Sequence, residues 1–423
     1  MDKEINLKYN TAGSAPNIKK NLWVITELYY PENNQTGYYM TGIAEGLTKK
    51  FNVRVICGQP NYAAKGTFAP KKETYKNVEI FRVSSTTLDK DVIFFRLVNM
   101  LTIGFSIFFK ILANVKKNEQ MLVVSAPPTL PFIAALAATI LRSKYNLIIQ
   151  DKYPETLIAV GKLSPKSLSV KILNRLNFWL YKGSSKIIVV GRDMKELVLS
   201  QLKHFSNNEV PAVEVIQNWA SLEEIEPMPR DDNELLKELN IADKFIFLYA
   251  GNMGYPQDIE SIVKCAEKLK TDERFHFLFI GSGVKKKWLE RKVSEKKLSN
   301  ITVLPPRPRN QQKIFLNACD VGLVPLIKKM CGVAMPSRTY NLLAAGKPII
   351  ALTENNSEVA KVIEDDQVGW FVSPNDPDAL YQTIKNIFEN RQNLKEMGRR
   401  ARLAAQNRYS VETAIEKYNN FLS

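Results

Sequence analysis

Ser337, Arg338 and Asn341 are the residues of this sequence with the types and spacing to hold an anion. They lie in Val333–Leu352, VAMPSRTYNLLAAGKPIIAL, which reads as a helix, a turn and a strand. Pro336 suits the first turn of a helix, and Ser337 can accept from backbone N–H groups left free there. The helix is expected to run through Ala345 and to stop at Gly346, which tolerates the left-handed backbone of a C-cap. Pro348 then leads into the apolar run Ile349–Leu352, of strand type. Arg338 and Asn341 fall on one helical face with Ser337. Amide hydrogens, a positive dipole end and a guanidinium side by side make a phosphate site. An ordinary capped helix–strand unit with a surface arginine would use the same residues, and this segment alone does not choose between the two.

The elements that would position these residues alternate strand and helix along both halves of the chain. In the first half, strand Asn21–Glu27 runs into a loop and a helix that begins near Gly37. Val53–Cys57 empties into Gly58–Asn61, Asn146–Gln150 into Asp151–Glu155, and Lys186–Val190 into Gly191-Arg192-Asp193. In the second half, Phe245–Tyr249 precedes Gly251-Asn252-Met253-Gly254 and Gln257, while Phe275–Ile280 precedes Gly281-Ser282-Gly283. Ile301–Leu304 precedes Pro305-Pro306-Arg307. Such alternation implies parallel sheets, whose ligands sit beyond the carboxyl ends of the strands. The glycine- and charge-bearing loops all fall at those ends, so two sheets facing each other would enclose a cleft. Ile259, Ile262, Val263, Ala266 and Leu269 make one apolar face at helical period, which predicts an amphipathic helix there. Gly37 by itself fits either a ligand-approaching turn or a plain strand–helix connection.

Composition narrows the function classes. With 423 residues, 45% of them hydrophobic and 24% charged, the chain can build two or three packed domains. Its net charge of +16 fits anionic lipid, phosphorylated substrates or nucleic acid. Nucleic acid is set aside, because no zinc-finger spacing, RNP-type strand or arginine-rich arm is present. Cys57, Cys265, Cys319 and Cys331 are scattered without metal or disulfide spacing, which fits a reducing cytoplasm. His204 and His276 are the two histidines, too few for a histidine metal site or triad. Asp376-Pro377-Asp378 is literally a D-x-D, but Asp at an N-cap followed by Pro has structural reasons of its own. Residues 91–117 combine many phenylalanines with Arg96, Lys110, Lys116 and Lys117. This pattern suits either a core helix or one lying in an anionic membrane interface. The uninterrupted apolar run, Leu97–Phe109, is shorter than the roughly 20 residues a spanning helix needs. Met1–Lys20 is polar and does not read as a signal peptide. Pro227, Pro229 and Arg230–Asp232 mark a linker, and Ala401–Leu422 reads as one last helix.

Taken in order, P-S-R-T-Y-N-L-L-A-A-G-K-P and the loops before it resemble glycosyltransferase family 4, in the branch of bacterial sugar transferases of polysaccharide assembly. The resemblance runs from about Asn21 to the C-terminus. It implies an α/β, GT-B architecture: two Rossmann-like doubly wound domains facing across a cleft. The boundaries expected are a flexible 1–20, an acceptor-binding domain 21–225, a nucleotide-sugar-binding domain 226–400, and 401–423 returning to the first domain. It also implies a retaining transfer of a hexose or N-acetylhexosamine-type sugar from a UDP- or GDP-linked donor, with no metal required. The acceptor would be a polyprenyl-diphosphate-linked or other glycan, at the inner face of a membrane whose anionic surface meets 91–117. Gly37, Gly251, Asn252, Gly254, Gln257, Ser337 and Arg338 are the residues it places at the donor. Asn341 would lie at the ribose and Gly283 or Arg307 near the base. Asn61, Asp151, Glu155 and Arg192 would lie on the acceptor side, with Asp151 and Arg338 carrying the chemistry. Two departures stand out. A Glu-x7-Glu pair common in the family reads here as Val333 and Asn341, and an Arg/Lys pair of the glycine loop as Asn252 and Gln257. Arg338 could replace the missing cation. A nucleotide-sugar 2-epimerase of the same fold, or a non-catalytic membrane-surface binding protein, remains as the alternative.

Overall fold

The computed structural model describes residues 19–32, 34–60, 68–89, 92–205 and 210–423. The first sheet has strands β1 (Lys20–Ile25), β2 (Phe51–Gly58), β3 (Lys72–Tyr75), β4 (Val78–Val83), β5 (Gln120–Val124), β6 (Lys144–Ile149), β7 (Lys186–Val189) and β8 (Ala212–Val215). Their spatial order is β3-β4-β2-β1-β5-β6-β7-β8. All pairs are parallel except β3 with β4, a hairpin turning through Lys76 and Asn77 in the left-handed region. This hairpin was not foreseen, because KETY has no apolar alternation and sits at an exposed edge. Helices α1 (Gln35–Leu47), α2 (Ile93–Asn114), α3 (Leu130–Leu141), α4 (Glu155–Ala159), α5 (Leu168–Gly183) and α6 (Arg192–Phe205) connect the strands.

The second half repeats the scheme. After α7 (Glu234–Glu238) come β9 (Phe245–Ala250), α8 (Ile259–Lys268), β10 (Phe275–Ile280), α9 (Lys286–Lys296), β11 (Ile301–Leu304) and α10 (Gln312–Asn317). Then follow β12 (Val321–Pro325), α11 (Arg338–Ala344), β13 (Ile349–Leu352), α12 (Glu358–Asp366), β14 (Gly369–Val372), α13 (Pro377–Glu389), α14 (Leu394–Asn407) and α15 (Val411–Leu422). The six strands are all parallel, in the order β11-β10-β9-β12-β13-β14. Every residue of FHFLFI in β10 is buried, as a strand covered by helices on both faces requires. The apolar face expected on α8 is the buried one: Ile259, Ile262, Val263 and Ala266. The order reverses beside β1 in one sheet and beside β9 in the other, which are the points where such sheets hold ligands.

Three local expectations change. The helix expected from Pro336 begins two residues later, at Arg338. Ser337 stands at its N-cap, its carbonyl accepting from Tyr340 and Asn341 but its side chain capping no amide, while Gly346 has φ +64 as foreseen. The single last helix is two. Ser410 breaks it with an extended backbone and caps α15 by accepting from the Thr413 amide. Buried Tyr409 donates to Asp366 at 2.9 Å, which holds α14 on the second lobe, whereas α15 packs on α1 of the first. Finally, α2 runs for 22 residues, and its segment Phe94–Asn114 is long and apolar enough to cross a membrane by length and composition. The run Leu97–Phe109 is shorter because Arg96 and Lys110, which bracket it, both lie within the helix. Ile103, Ile107, Ile111 and Val115 nevertheless lie in the core with the inner faces of α3 and α5. The opposite faces of these helices are uncovered: Phe94, Leu101, Phe105 and Phe109 of α2, Leu136 and Ile140 of α3, Ile172, Leu176 and Trp179 of α5.

The linker is pinned rather than free. The Met228 amide donates to Asn317 at 3.0 Å, and Arg230 pairs with Asp320 at 2.6 Å.

Candidate active site

A cavity of about 380 Å³ opens between the two lobes. Its walls come from residues that follow carboxyl ends of strands: Gln35, Thr36 and Tyr39 after β1, Ala126 after β5, Gln150 and Asp151 after β6. From the second lobe come Asn252, Pro256 and Gln257 after β9, with Met330, Ala334, Met335, Ser337 and Arg338 after β12.

Arg338 is held in place by contacts that leave its hydrogen-bonding groups available. Its guanidinium carbon lies 4.2 Å from the centre of the Tyr249 ring, a cation–π contact. Gly251 has φ +143, and a Cβ there would stand 3.1 Å from Arg338 Nη2, so only glycine lets the guanidinium lie against this loop. No acceptor among the described residues meets the buried Nη1. Tyr249 OH donates to the Asn252 carbonyl at 2.5 Å, fixing the loop that faces the arginine. Burial raises the Tyr249 phenol above its ordinary value, and the Arg338 charge partly offsets this.

The glycine loops are nested. A Cβ on Gly283 would meet Asn252 Oδ1 at 2.5 Å and the Met253 carbonyl at 2.6 Å, so Gly283 is needed for packing beneath the loop. The Gly254 amide donates to Gln257 Oε1 at 2.8 Å, and Lys285 donates to the Gln257 carbonyl at 2.6 Å. Gly37 is in the first turn of α1, where Asn34 accepts its amide at 2.8 Å and a Cβ would crowd the Glu32 carbonyl. Ser337 turns its hydroxyl to Tyr39 across the lobes instead of capping α11, and Tyr39 OH donates to the Trp219 carbonyl at 3.0 Å.

Asp151 sits opposite. It pairs with Ala334 as an isolated antiparallel bridge, and the Lys152 amide donates to the Val333 carbonyl at 2.9 Å. Water reaches its carboxylate through the cleft, but the surrounding protein desolvates it and pushes its pKa up to about 6.

Several residues expected at the site serve elsewhere. Glu155 faces the interior behind the Asp151 loop, where Gln201 donates to it and also accepts from fully buried Lys152 at 2.7 Å. Arg192 ties the lobes together, pairing with Glu358 at 2.9 Å and Asp365 at 2.6 Å. Arg307 pairs with Glu238 at 3.4 Å on the surface, and the Asn341 side chain does not line the cavity. Asn61 lies outside the described residues. Val333, at the position of the absent first Glu, is buried. Asp376 accepts from the Ala379 amide at 2.8 Å and caps α13. His276 is a strand residue bonded to Thr302 at 2.9 Å, and burial lowers its pKa to about 4.

The sequence reading missed Tyr249, Tyr39, Gln35, Thr36, Tyr153 and Arg309. The last stacks its guanidinium 3.5 Å from the centre of the Tyr38 ring across the lobes. Only position offered a signal, since each lies at a strand's carboxyl end or in the loop or helix that follows it.

Residues 231–404, spanning α7 to most of α14, match the family described as glycosyl transferases group 1. The chain is 28% identical to the probable glycosyltransferase WbjE of Pseudomonas aeruginosa over 94% of its own length and 96% of the relative's. It is 24% identical to the putative colanic acid biosynthesis glycosyl transferase WcaI of Escherichia coli K12, over 84% of the chain and 89% of that protein. The chain is a GT-B glycosyltransferase. HepE of Anabaena, solved with UDP-glucose, shares the fold, with a TM-score of 0.70 at 13% identity, covering 95% of this chain and 99% of that one. In the glycosyltransferase, then, the matched region supplies Gly251, Asn252, Gly254, Ser337 and Arg338, while the Asp151 loop comes from the lobe outside it.

Proposed function

We propose that this glycosyltransferase moves a hexose or N-acetylhexosamine-type sugar from a UDP- or GDP-linked donor to a polyprenyl-diphosphate-linked or other glycan, with retention and without a required metal. Residues 21–225 would bind the acceptor and 226–400 the donor. The observation that carries the reading is Arg338, which lines the cleft with Asn252 of the glycine loop, stacks on Tyr249 and keeps a buried N–H without a protein acceptor among the described residues. Breaking a glycosyl–phosphate bond leaves negative charge on the departing diphosphate, and preoriented donors in a shielded site stabilise it. The acceptor oxygen forms the new bond to the anomeric carbon on the face from which the diphosphate leaves. Its proton passes to a departing phosphate oxygen or to Asp151, whose raised pKa makes it a better base than an exposed carboxylate. The UDP-glucose bound by HepE supports the donor class, the name of WbjE supports glycosyl transfer, and the colanic acid biosynthesis in the name of WcaI supports a role in polysaccharide synthesis. For a lipid-linked acceptor, the uncovered apolar face of α2 with Lys116 and Lys117 just past its end would suit the anionic inner surface of a membrane.

A non-catalytic binding protein is the second reading, favoured by Val333 and Asn341 where acids are usual and by Gln257 occupying the Gly254 amide. Incubating the protein with UDP- and GDP-sugars and a lipid-linked acceptor tests both. Acceptor-dependent release of UDP or GDP supports transfer; binding without release supports the alternative; product isomerisation without acceptor would indicate an epimerase.

A further inference from the structure

A second cavity, of about 120 Å³, lies between α3 and α5. Pro131 and Phe132 of α3 and Leu173 and Leu180 of α5 form its sides, and Leu147 and Ile149 of β6 its floor. Asp151 and Tyr153 line this cavity and the interlobe cleft alike, so the two spaces meet at the acceptor loop. Asn177, also in the wall, donates to the Tyr153 carbonyl at 2.5 Å and fixes that junction.

Away from the cleft, the cavity leads to the uncovered apolar face. Phe132, Leu136 and Ile140 repeat every four residues on α3, the first lining the cavity and the other two exposed. On α5, Leu173 lines it while Ile172 and Leu176 beside it are exposed. A cation lies within electrostatic range of Tyr153, at the junction of the two spaces. Burial raises the Tyr153 phenol, nearby Asp151 adds to this, and Arg96 of α2 is close enough to pull the other way. Arg96 is exposed, and no ion pair of its side chain is found among the described residues. An apolar slot that opens beside Tyr153, with a cation in electrostatic range there and an apolar surface at its other side, fits a ligand with a hydrocarbon tail and an anionic head.

We infer that this slot and Arg96 receive the lipid end of the acceptor, with the diphosphate at Arg96 and Tyr153 and the first isoprene units between α3 and α5. The inference rests on the lipid-linked acceptor proposed above and assigns that acceptor a place separate from Arg338. It places the glycosyl group attached to the diphosphate at Asp151, in the cleft where transfer occurs.

Calorimetric titration of the full chain with farnesyl diphosphate, farnesol and inorganic pyrophosphate, each with UDP saturating, tests it. Farnesyl diphosphate is expected to bind at least about tenfold more tightly than either half-ligand, since tail and head contribute together. Arg96→Ala should weaken it about tenfold, as loss of a charge-assisted contact does, and Leu173→Trp should fill the slot and abolish binding. Both variants should keep the wild-type affinity for UDP. Farnesyl diphosphate displaced by UDP would put its diphosphate at the donor site and overturn the inference. So would affinity no better than pyrophosphate, or binding indifferent to Arg96→Ala, an exposed position whose change does not threaten folding. Should UDP fail to bind while farnesyl diphosphate still does, the donor reading falls and the lipid slot stands.

Discussion

Asp151 of the first lobe and Ala334 of the second form a single antiparallel bridge, so the loop after β6 is hydrogen-bonded to the segment that leads into Ser337 and Arg338. The relative position of carboxylate and guanidinium is therefore set by how the lobes close. Closure in turn depends on Asp193, whose Oδ2 accepts from the amides of Gly332 at 2.8 Å and Glu358 at 2.9 Å.

Asp193→Ala would leave both amides unpaired, at about 1–3 kcal/mol each. The closed form should lose most of that, and the donor KM should rise at least about tenfold. Small-angle scattering should show a larger radius of gyration than wild type. An unchanged KM and radius would remove the clamp.

Arg338→Ala should weaken UDP binding by about 10- to 100-fold, because contacts to a charged phosphate contribute about 1.5–3 kcal/mol. Arg338→Lys should recover only part of this, since a lysine presents no planar fork to the diphosphate or to Tyr249. Isothermal titration with UDP reads both. Wild-type affinity in Arg338→Ala would reject the phosphate site.

Asp151 couples activity and stability in opposite directions. Its folded pKa is raised to about 6, so the folded state holds this proton more tightly than the unfolded chain does. The associated stability is present below the ordinary aspartate range and is lost as pH rises through about 6. Asp151→Asn should thus melt at a higher temperature than wild type at pH 7.5, and the difference should vanish below pH ~4. If the carboxylate is the base, the same variant should lose at least about a hundredfold in kcat, and the acidic limb of the wild-type pH profile should disappear. Unchanged kcat would leave proton transfer to the departing phosphate.

Gly283→Ala should destabilise the second lobe by about 2 kcal/mol or more, since its φ of +131 and contacts at 2.5–2.6 Å leave no room for a Cβ. The loop carrying Asn252 would shift with it, so UDP affinity should fall as well. Thermal melting and UDP titration measure the two effects.

Charge reversal at Lys110, Lys116 and Lys117 should abolish sedimentation with vesicles containing anionic lipid, as each cation contributes about 1 kcal/mol near such a surface. Phe105→Gln, on the uncovered face of α2, should weaken sedimentation without changing the net charge. Sedimentation unaffected by either change would exclude this face as the membrane contact.

Local pattern reaches some of these features and not others. Strands such as FHFLFI and the apolar stripe of α8 are visible in sequence because burial on both faces, or on one, leaves a period that neighbouring residues share. Gly346 is readable for a similar reason, since the end of a helix poses a local conformational demand. The loops at strand ends are readable too, because parallel sheets put chemistry there whatever the side chains. The break at Ser410 was hidden by residues that suit a helix on both sides of it; the attachments of Tyr409 to one lobe and α15 to the other made the difference.

The sequence by itself determined that two parallel sheets present glycine- and charge-bearing loops to each other, and it picked out Arg338 and Asp151. Only the tertiary structure decided which charges stay available. Arg192, Glu155 and Arg307 were as plausible as Arg338 by residue type, yet each found a partner: Glu358, Gln201 and Glu238. Those partners lie up to 166 residues away along the chain, and electrostatic pairing depends on separation in space, which packing of the lobes sets and local sequence does not encode.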